Sequence, residues 1–498
     1  MHAQLNGVKG VGLRILGLGL AALALGFGGA ARAASPPGDV VGKVTVGYQG
    51  WFSAPGDGSP VNNWGHTNLE TWPDMREYTA AYQTAYPNLG NGQPATNFSS
   101  YDQSTVNIHF NWMAQNGIDT AALQRFGNEI VPGSTLKAQR DGEATRVMNA
   151  AQTNGRKFYI MYDMSGGTTY LQSDWTNTIV NTLHLTSSSA YAKQNGKPVV
   201  CLWGLGYTWF GLSPTDGLSL VNWFKNQGCY VIGGVPGQWR TGTGDSRPDY
   251  ATVYNTCNMV MAWAVGRVVD STYQPWVSGD LAYCNANGMD YQPDAYPGTS
   301  FYNTNGPSSP KNQYPRNHGD FMWSQFAAMR NAGASSVYIS MFDEMNEATS
   351  IFKCAEDSSM IPANNWFLTL DADGVHVSSD YYLRLTCDGG KMIKGQIPYQ
   401  TAHPTPFTIT GVTFYQDTLY GGGFGQALAK GSYTLAQLAA KGVPNDWASS
   451  VRIPPGWTVI MYSDDNFSGT SWTLTSDNSN FPGLSPNGND VMSSCKIQ

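Results

Sequence analysis

Ser336-Val-Tyr-Ile-Ser-Met-Phe-Asp-Glu-Met-Asn-Glu-Ala-Thr349 runs from apolar alternation straight into three carboxylates with no turn residue between. Val337, Ile339 and Met341 alternate with Tyr338, Ser340 and Phe342, the period-two pattern of a strand buried on at least one face. Asp343, Glu344 and Glu347 follow at once. Two glutamates three residues apart face one cleft if the segment turns helically, which is the raw material of acid/base chemistry. The plain alternative is that Asp343 caps a helix whose favourable first turn holds the glutamates. The company this strand keeps decides between them.

Immediately upstream, Phe321 to Asn331 reads as a helix stopped near Gly333, and the same helix-to-strand step recurs along the chain. Lys43 to Tyr48 is a first strand, ending in Gln49-Gly-Trp-Phe52 and a Gly/Pro/Asn-rich loop that holds Trp64 and His66. Tyr101 to Gly117 is a helix with Asp102 as its cap, followed by a strand from Ile118 that ends in Gln124-Arg-Phe126. Glu143 to Asn154 is a helix, and Lys157 to Tyr162 a strand ending in Asp163. Trp175 to Leu185 and Leu218 to Gln227 are helical; Pro198 to Trp203 and Tyr230 to Gly233 are strands, with two more over Met259–Val265 and Gly288–Pro293.

Short apolar strands alternating with helices predict an α/β fold with a parallel sheet wrapped in helices. About eight such units favour a closed (β/α)8 barrel of the TIM type, whose active site lies at the C-terminal ends of the strands. Tyr48, Gln124, Arg125, Asp163, Trp203, Glu344 and Glu347 all sit at such ends. That convergence turns the acids into catalytic candidates. No G-x-G-x-x-G or Walker-type loop follows an early strand, which removes the commonest nucleotide-binding reading.

Met1 to about Ala33 carries Lys9 and Arg14, an apolar run from Ile15 to Phe27, and the small-residue site Ala31-Arg-Ala33, which reads as a secretory signal peptide. No later segment approaches the length of a membrane span, so we expect a secreted protein without an anchor. A net charge of -7 with no basic cluster argues against nucleic acid as a partner. Aromatic residues make up 12% and charged residues 13% of the chain, a balance that suits handling neutral sugar, because C–H faces pack on rings and hydroxyls meet polar tips. Seven cysteines lie far apart with no C-x-x-C pair, so a zinc site is not expected. Export makes one to three disulfides reasonable, Cys354 with Cys387 among them, with at least one thiol left over.

Beyond the acids, Trp366 to Leu370, a turn at Asp371–Gly374 and a helix from Asp380 to about Cys387, stopped by Gly389, close the large domain (residues 44–397). The Pro/Thr-rich residues 398–406 read as a linker. Residues 407–498 hold an internal duplication. Tyr415, Tyr420 and Gly422 in one half match Tyr462, Phe467 and Gly469 in the other. Asn445-Asp-Trp-Ala-Ser-Ser450 likewise matches Asn489-Asp-Val-Met-Ser-Ser494. This module resembles a microbial βγ-crystallin domain, an all-β Greek key in which two such motifs form a pair of calcium sites. The resemblance implies structural Ca2+ at Asn445, Asp446, Ser449, Asn489, Asp490 and Ser493, and hard oxygen ligands are what calcium takes.

The large domain resembles the family 99 and family 71-like glycoside hydrolases, which include endo-α-mannosidases. Gly47-Tyr-Gln-Gly-Trp-Phe52, Phe98-Ser-Ser-Tyr-Asp102, His109-Phe-Asn-Trp-Met113, Gln124-Arg-Phe126 and, most specifically, Met341 to Thr349 carry the likeness. It implies a retaining, endo-acting enzyme on a polysaccharide or glycan, mannan-type α-linkages favoured, with no metal in catalysis. Glu347 would be the general acid/base and Glu344 its partner carboxylate. That partner either draws the proton from the sugar's own 2-hydroxyl to give a 1,2-anhydro sugar or attacks as the nucleophile, and the two schemes stay open. Tyr48, Trp51, Trp64, His66, Arg125 and Asp163 are the candidates for sugar binding. The family's usual residues between the acids, and the Gly after them, are replaced here by Met345-Asn346 and Ala348. A monomer is expected. A non-catalytic carbohydrate-binding surface protein, or an exo-glycosidase on arabinan or xylan, are the competing readings.

Overall fold

The computed structural model describes residues 35–267 and 269–498; the leader expected over residues 1–33 lies outside them. Eight parallel strands run in chain order: β1 (Val44–Tyr48), β2 (Thr120–Phe126), β3 (Lys157–Asp163), β4 (Lys197–Trp203), β5 (Tyr230–Val235), β6 (Met259–Ala262), β7 (Asp290–Ala295) and β8 (Val337–Ile339). Each pairs with the next, and Val44↔Val337 through Val46↔Ile339 seals β1 against β8, so the sheet is a closed barrel. The connections are the helices α1 (Gln103–Gln115), α2 (Thr135–Thr153), α3 (Pro214–Asn226), α4 (Tyr273–Ala286) and α5 (Asp320–Ala332), with a π-helical stretch at Asp174–Thr182 and a single helical turn at Ala251–Tyr254. A last helix, α6 (Tyr381–Ile393), packs beside α5.

Strand alternation sorts the side chains. On β1, Val44, Val46 and Tyr48 face the helices, while Thr45 takes a hydrogen bond from Gln292 Nε2 of β7 across the lumen (3.1 Å). A Cβ on Gly47 would sit 2.2 Å from Met341 Sδ and 2.4 Å from the Tyr338 hydroxyl, so only glycine fits there. The Tyr338 hydroxyl in turn meets Met161 Sδ of β3 at 3.4 Å. The lumen is thus a filled core, and the open face is the C-terminal one.

Four expectations change. Helix α2 begins eight residues earlier than Glu143, at Thr135, where Ser134 Oγ accepts the Lys137 N–H (3.1 Å). Its first turns carry no apolar stripe, because Arg140, Glu143, Glu129 and Gln139 bury themselves as a hydrogen-bonded set. Asp102 stands at the N-cap of α1 without capping; its carboxylate accepts the Tyr82 hydroxyl instead. Helix α6 runs through Gly389 rather than stopping there, for a reason of packing given in the Discussion. All seven cysteines are buried free thiols: Cys387 lies on α6 toward Gly117, whereas Cys354 hydrogen-bonds Ser350, so the pairing of the two is not formed.

The C-terminal module is two antiparallel sheets. β9 (Thr413–Tyr415) pairs with β11 (Ser450–Arg452). β14 (Ser494–Ile497) lies between β10 (Gly431–Tyr433) and β12 (Val459–Asp464), with β13 (Ser468–Leu474) on the far edge of β12. Its separate core is built on Val412, Phe414, Val451, Met461 and Phe481. The stretch expected as a linker has no regular structure but is strapped down: Arg384 Nη1 donates to the Pro406 carbonyl (2.6 Å), Thr405 Oγ1 to Asp388 (2.7 Å), and Trp323 Nε1 to the Gln400 carbonyl (3.2 Å). The module also touches the end of α1, where the Tyr420 hydroxyl donates to Gln115 Oε1 (3.1 Å) and Arg452 Nη1 to Asn116 Oδ1 (2.8 Å). Among the described residues no helix is long and apolar enough to cross a membrane.

Candidate active site

The chain leaving β8 stays bound to the barrel rim. Phe342 N–H donates to the Gly47 carbonyl (2.8 Å), and Met341 N–H to Thr349 O (3.0 Å), so residues 341–350 fold back as a loop with a turn at 345–348 rather than the helical turn expected. Asp343 caps no helix. It is fully buried and accepts the N–H groups of Gln49 (2.7 Å) and Gly50 (2.9 Å), fastening the acid loop to the end of β1. Glu344 points into the mouth, its Oε2 accepting from Gln49 Nε2 (2.6 Å) and its Oε1 from the Asn346 N–H (2.9 Å). The Glu347 backbone is clamped through its carbonyl by Ser300 N–H (3.0 Å) and Thr299 Oγ1 (2.6 Å), and its side chain is half-buried.

Burial in this rim disfavours every negative charge. It lifts Glu347 to about 7, aided by the nearby charge of Asp163. It lifts Glu344 well above the usual carboxyl range, with Glu347 and Asp343 adding to the effect and outweighing the two donors. Asp163 rises to about 6, again chiefly by burial, against the pull of Ser165 N–H (2.9 Å) and Oγ (2.5 Å). The charge of Glu347 raises Glu344, so the two carboxyls lose their protons in separate steps.

Not every candidate from the sequence reaches this mouth. Tyr48 is turned outward: its hydroxyl meets His109 Nδ1 of α1 (2.9 Å) and its ring packs on Phe110 and Phe342. Arg125 is also turned outward, its Nε and Nη2 paired with Asp174 (2.7 Å each) and Nη2 with Asp141 (2.5 Å) among the helices. Both are structural rather than sugar-binding. The residues beside them, Gln49 and Gln124, hold the lumen-facing positions; alternation alone would have found them once one strand was anchored. Trp51 stacks on His66 (centroids 3.7 Å apart, 10° between planes), and burial with the charge of Arg140 lowers His66 to about 3, so the imidazole is neutral. Trp64 lies one step out, lining with His66, Trp72 and Tyr86 a groove of about 140 Å³.

Several polar atoms around the mouth are buried with no hydrogen-bond partner among the described residues: Gln49 Oε1, Gln124 Oε1, Trp51 Nε1, Trp203 Nε1 and Asn346 Oδ1. Orphaned groups of this kind cost about 1–3 kcal/mol each, and their gathering at one face suits a ligand rich in hydroxyls. The sequence reading missed Gln49 and Asn346 as contacts because neither residue type signals chemistry alone.

In the C-terminal module the duplication recurs at the level of contacts. Tyr420 N–H bonds Ser450 Oγ (3.1 Å) as Phe467 N–H bonds Ser494 Oγ (3.0 Å). Ser450 Oγ donates to Asp417 O (2.6 Å) as Ser494 Oγ donates to Asp464 O (2.7 Å). The two acidic motifs exchange partners: Ser449 Oγ donates to Asp490 Oδ1 (3.3 Å) and Ser493 Oγ to Asn445 Oδ1 (2.8 Å).

No family model matches the chain. A solved βγ-crystallin domain from Clostridium beijerinckii is 49% identical over 18% of this chain and 97% of its own, with a TM-score of 0.17. The C-terminal module is a βγ-crystallin-like domain. Development-specific protein S of Myxococcus xanthus is 42% identical over 66 residues, 13% of this chain, and the match spans only 36% of that protein. The barrel is similar to a GH99 endo-α-mannosidase from Bacteroides thetaiotaomicron, with a TM-score of 0.53 over 72% of this chain and 98% of that one. At 14% identity that likeness establishes the barrel fold.

The βγ-crystallin module offers oxygen donors for a hard cation. Asp446 and Asp490 hold left-handed backbones (φ 50° and 51°), and Asn489 Oδ1 is buried without a partner. Among the described residues no three acidic, histidine or cysteine side chains converge closely enough to hold one ion by themselves, so hydroxyl, amide and carbonyl oxygens would make up the rest of its ligands.

Proposed function

We propose that the protein is a glycoside hydrolase that cleaves a polysaccharide or glycan with Glu344 and Glu347. The observation that carries this is the pair itself: two carboxyls raised chiefly by burial at the C-terminal mouth of the barrel, one fixed by Gln49 and Asn346, the other half-open beside Asp163. Glu347, held near 7, keeps a proton at neutral pH and gives it to the leaving glycosidic oxygen, then takes one from water. Glu344 has each oxygen engaged by one donor, which sets the plane of the carboxylate and leaves a lone pair on each for the sugar. In the reactive state, with the proton on Glu347 and Glu344 ionised, that lone pair takes the proton of the 2-hydroxyl, whose oxygen closes on the anomeric carbon as the aglycone leaves; direct attack by Glu344 is the other retaining route. The fold shared with an endo-α-mannosidase supports endo action on an α-mannan-type chain, and the groove lined by His66 and Trp64 offers such a chain aromatic faces.

Reducing-sugar release from α-mannans, arabinans and xylans tests the assignment. We expect one class to be cleaved, and Glu344→Gln and Glu347→Gln each to lower kcat/KM by about a thousand-fold or more. Full activity in both variants overturns it. Binding without cleavage by the unmodified protein would make it a carbohydrate-binding protein, and monosaccharide products would make it exo-acting.

For the βγ-crystallin domain we infer calcium at Ser449 with Asn489 and Asp490, and at Ser493 with Asn445 and Asp446. Such ions tie the two halves together through the contacts they already exchange. The leader-like N-terminus supports export of the whole chain.

A further inference from the structure

The mouth of the barrel continues past the acids along a row of rings. Asp163, whose charge reaches Glu347, is the register partner of Trp203 at the end of β4. The Trp203 ring lies 5.4 Å from Trp263, just beyond β6, and 5.2 Å from Tyr207; Tyr207 is 5.1 Å from Trp209. Trp209 is 58% exposed, while Tyr207 is buried at 4%. A single exposed tryptophan is ordinary, but this one ends an unbroken line that starts beside the catalytic candidates.

Two further features separate this row from loose surface packing. Trp203 Nε1 and the Tyr207 hydroxyl are both buried with no hydrogen-bond partner among the described residues, so the row holds unmet polar capacity as well as apolar faces. The loop that carries Tyr207 and Trp209 is also pinned from both sides. Thr208 N–H donates to Asp245 O (2.8 Å), Arg247 N–H to Gly206 O (2.8 Å), Arg247 Nη1 to Leu212 O (3.1 Å) and Leu205 N–H to Gly234 O (3.1 Å). A platform fixed before binding loses little entropy when a ligand arrives. Apolar rings interleaved with unsatisfied donors match the chemistry of a pyranose or furanose chain, which presents C–H faces and hydroxyls in alternation.

We propose that Trp203, Tyr207 and Trp209, flanked by Trp263, form a distal sugar subsite that grips the polysaccharide several units from the bond cleaved. The proposal rests on the glycosidase reading for which bond is cleaved, but its binding is measurable without turnover. Trp209 offers a stacking face at the outer end, and the Tyr207 hydroxyl and Trp203 indole donate to sugar oxygens closer to the acids.

Native gels cast with soluble α-mannan, arabinan or xylan read the binding of Glu347→Gln and of Glu347→Gln with Trp209→Ala. One polysaccharide is expected to retard the single variant, and the added Trp209→Ala to weaken that retardation about five-fold. Equal retardation of both, or none of the single variant in any gel, overturns the subsite. In the otherwise unmodified protein, Trp209→Ala should raise KM for the polymer by a similar factor with KM for a disaccharide of the same linkage unmoved. An equal rise on both overturns a distal role. Should Glu347→Gln still hydrolyse, the acid assignment fails while the gel comparison still reads the subsite.

Discussion

Glu347 shows how far one residue's surroundings set its chemistry. A solvent-exposed glutamate would be ionised at pH 7, whereas burial beside Asp163 holds this one near 7. If it is the acid, kcat/KM falls as pH rises through about 7, where Glu347 loses its proton, and Glu347→Gln abolishes that limb. Stability has a matching sign. A carboxyl with a raised folded pKa binds more protons folded than unfolded between about 4.5 and 7, so the stability it contributes is complete at low pH and is lost as pH climbs through 7. Asp163 and Asp343, raised to about 6 and 7, act in the same direction. Melting temperature should therefore drop between pH 5 and 8, and Glu347→Gln should flatten the drop, gaining on the order of 1 kcal/mol over the parent at pH 8. A parallel decline in the two proteins would contradict the burial of this acid. The pair was readable from the sequence because acids directly after a strand are rare company; Tyr48 and Arg125 were misplaced because their neighbours Gln49 and Gln124 have the opposite parity, which an isolated strand does not reveal.

At the scale of elements, the strands and most helices follow from alternation and from glycine stops, as Gly333 shows with its left-handed φ of 90° after α5. Gly389 reads as another stop and is not one. A Cβ there would lie 2.5 Å from the Phe326 ring of α5, and one on Gly390 would lie 2.7 Å from Val44 Cγ2 of β1. These glycines let α6 press against the barrel, so they serve packing inside the helix. Gly389→Ala gains about 1 kcal/mol of helix propensity but forces a buried ring aside, an overpacking that costs about 1–3 kcal/mol. A net loss of stability in urea unfolding is expected, and a stabilised variant would show the contact to be soft. Helix α2 was half-hidden for a different reason: its buried face is charged, and charge pairing leaves no apolar period to read.

At the scale of the whole molecule, the βγ-crystallin domain is docked onto the barrel rather than tethered to it. Arg452 lies over the Tyr420 ring at 3.5 Å, bonds Asp477 (2.6 Å), and reaches Asn116 at the end of α1. Tyr420 follows the Asp417–Thr418 loop that lines the hollow beside Asp446 and Asp490, so a cation there would stiffen the segment that meets the barrel. Calcium should raise the melting temperature relative to EDTA, and the shift should be present in the barrel's tryptophan signal as well as in the small domain. No shift removes the calcium sites, and a shift confined to the small domain removes the coupling. The sequence by itself determined the repeating strands and helices, the acid pair and the duplicated module, because each is written in local spacing. The tertiary structure alone decided which side of each strand faces the lumen, which cysteines stay apart, and that the presumed linker is strapped down. Those outcomes depend on contacts between residues far apart in the chain, where packing and burial outweigh local pattern.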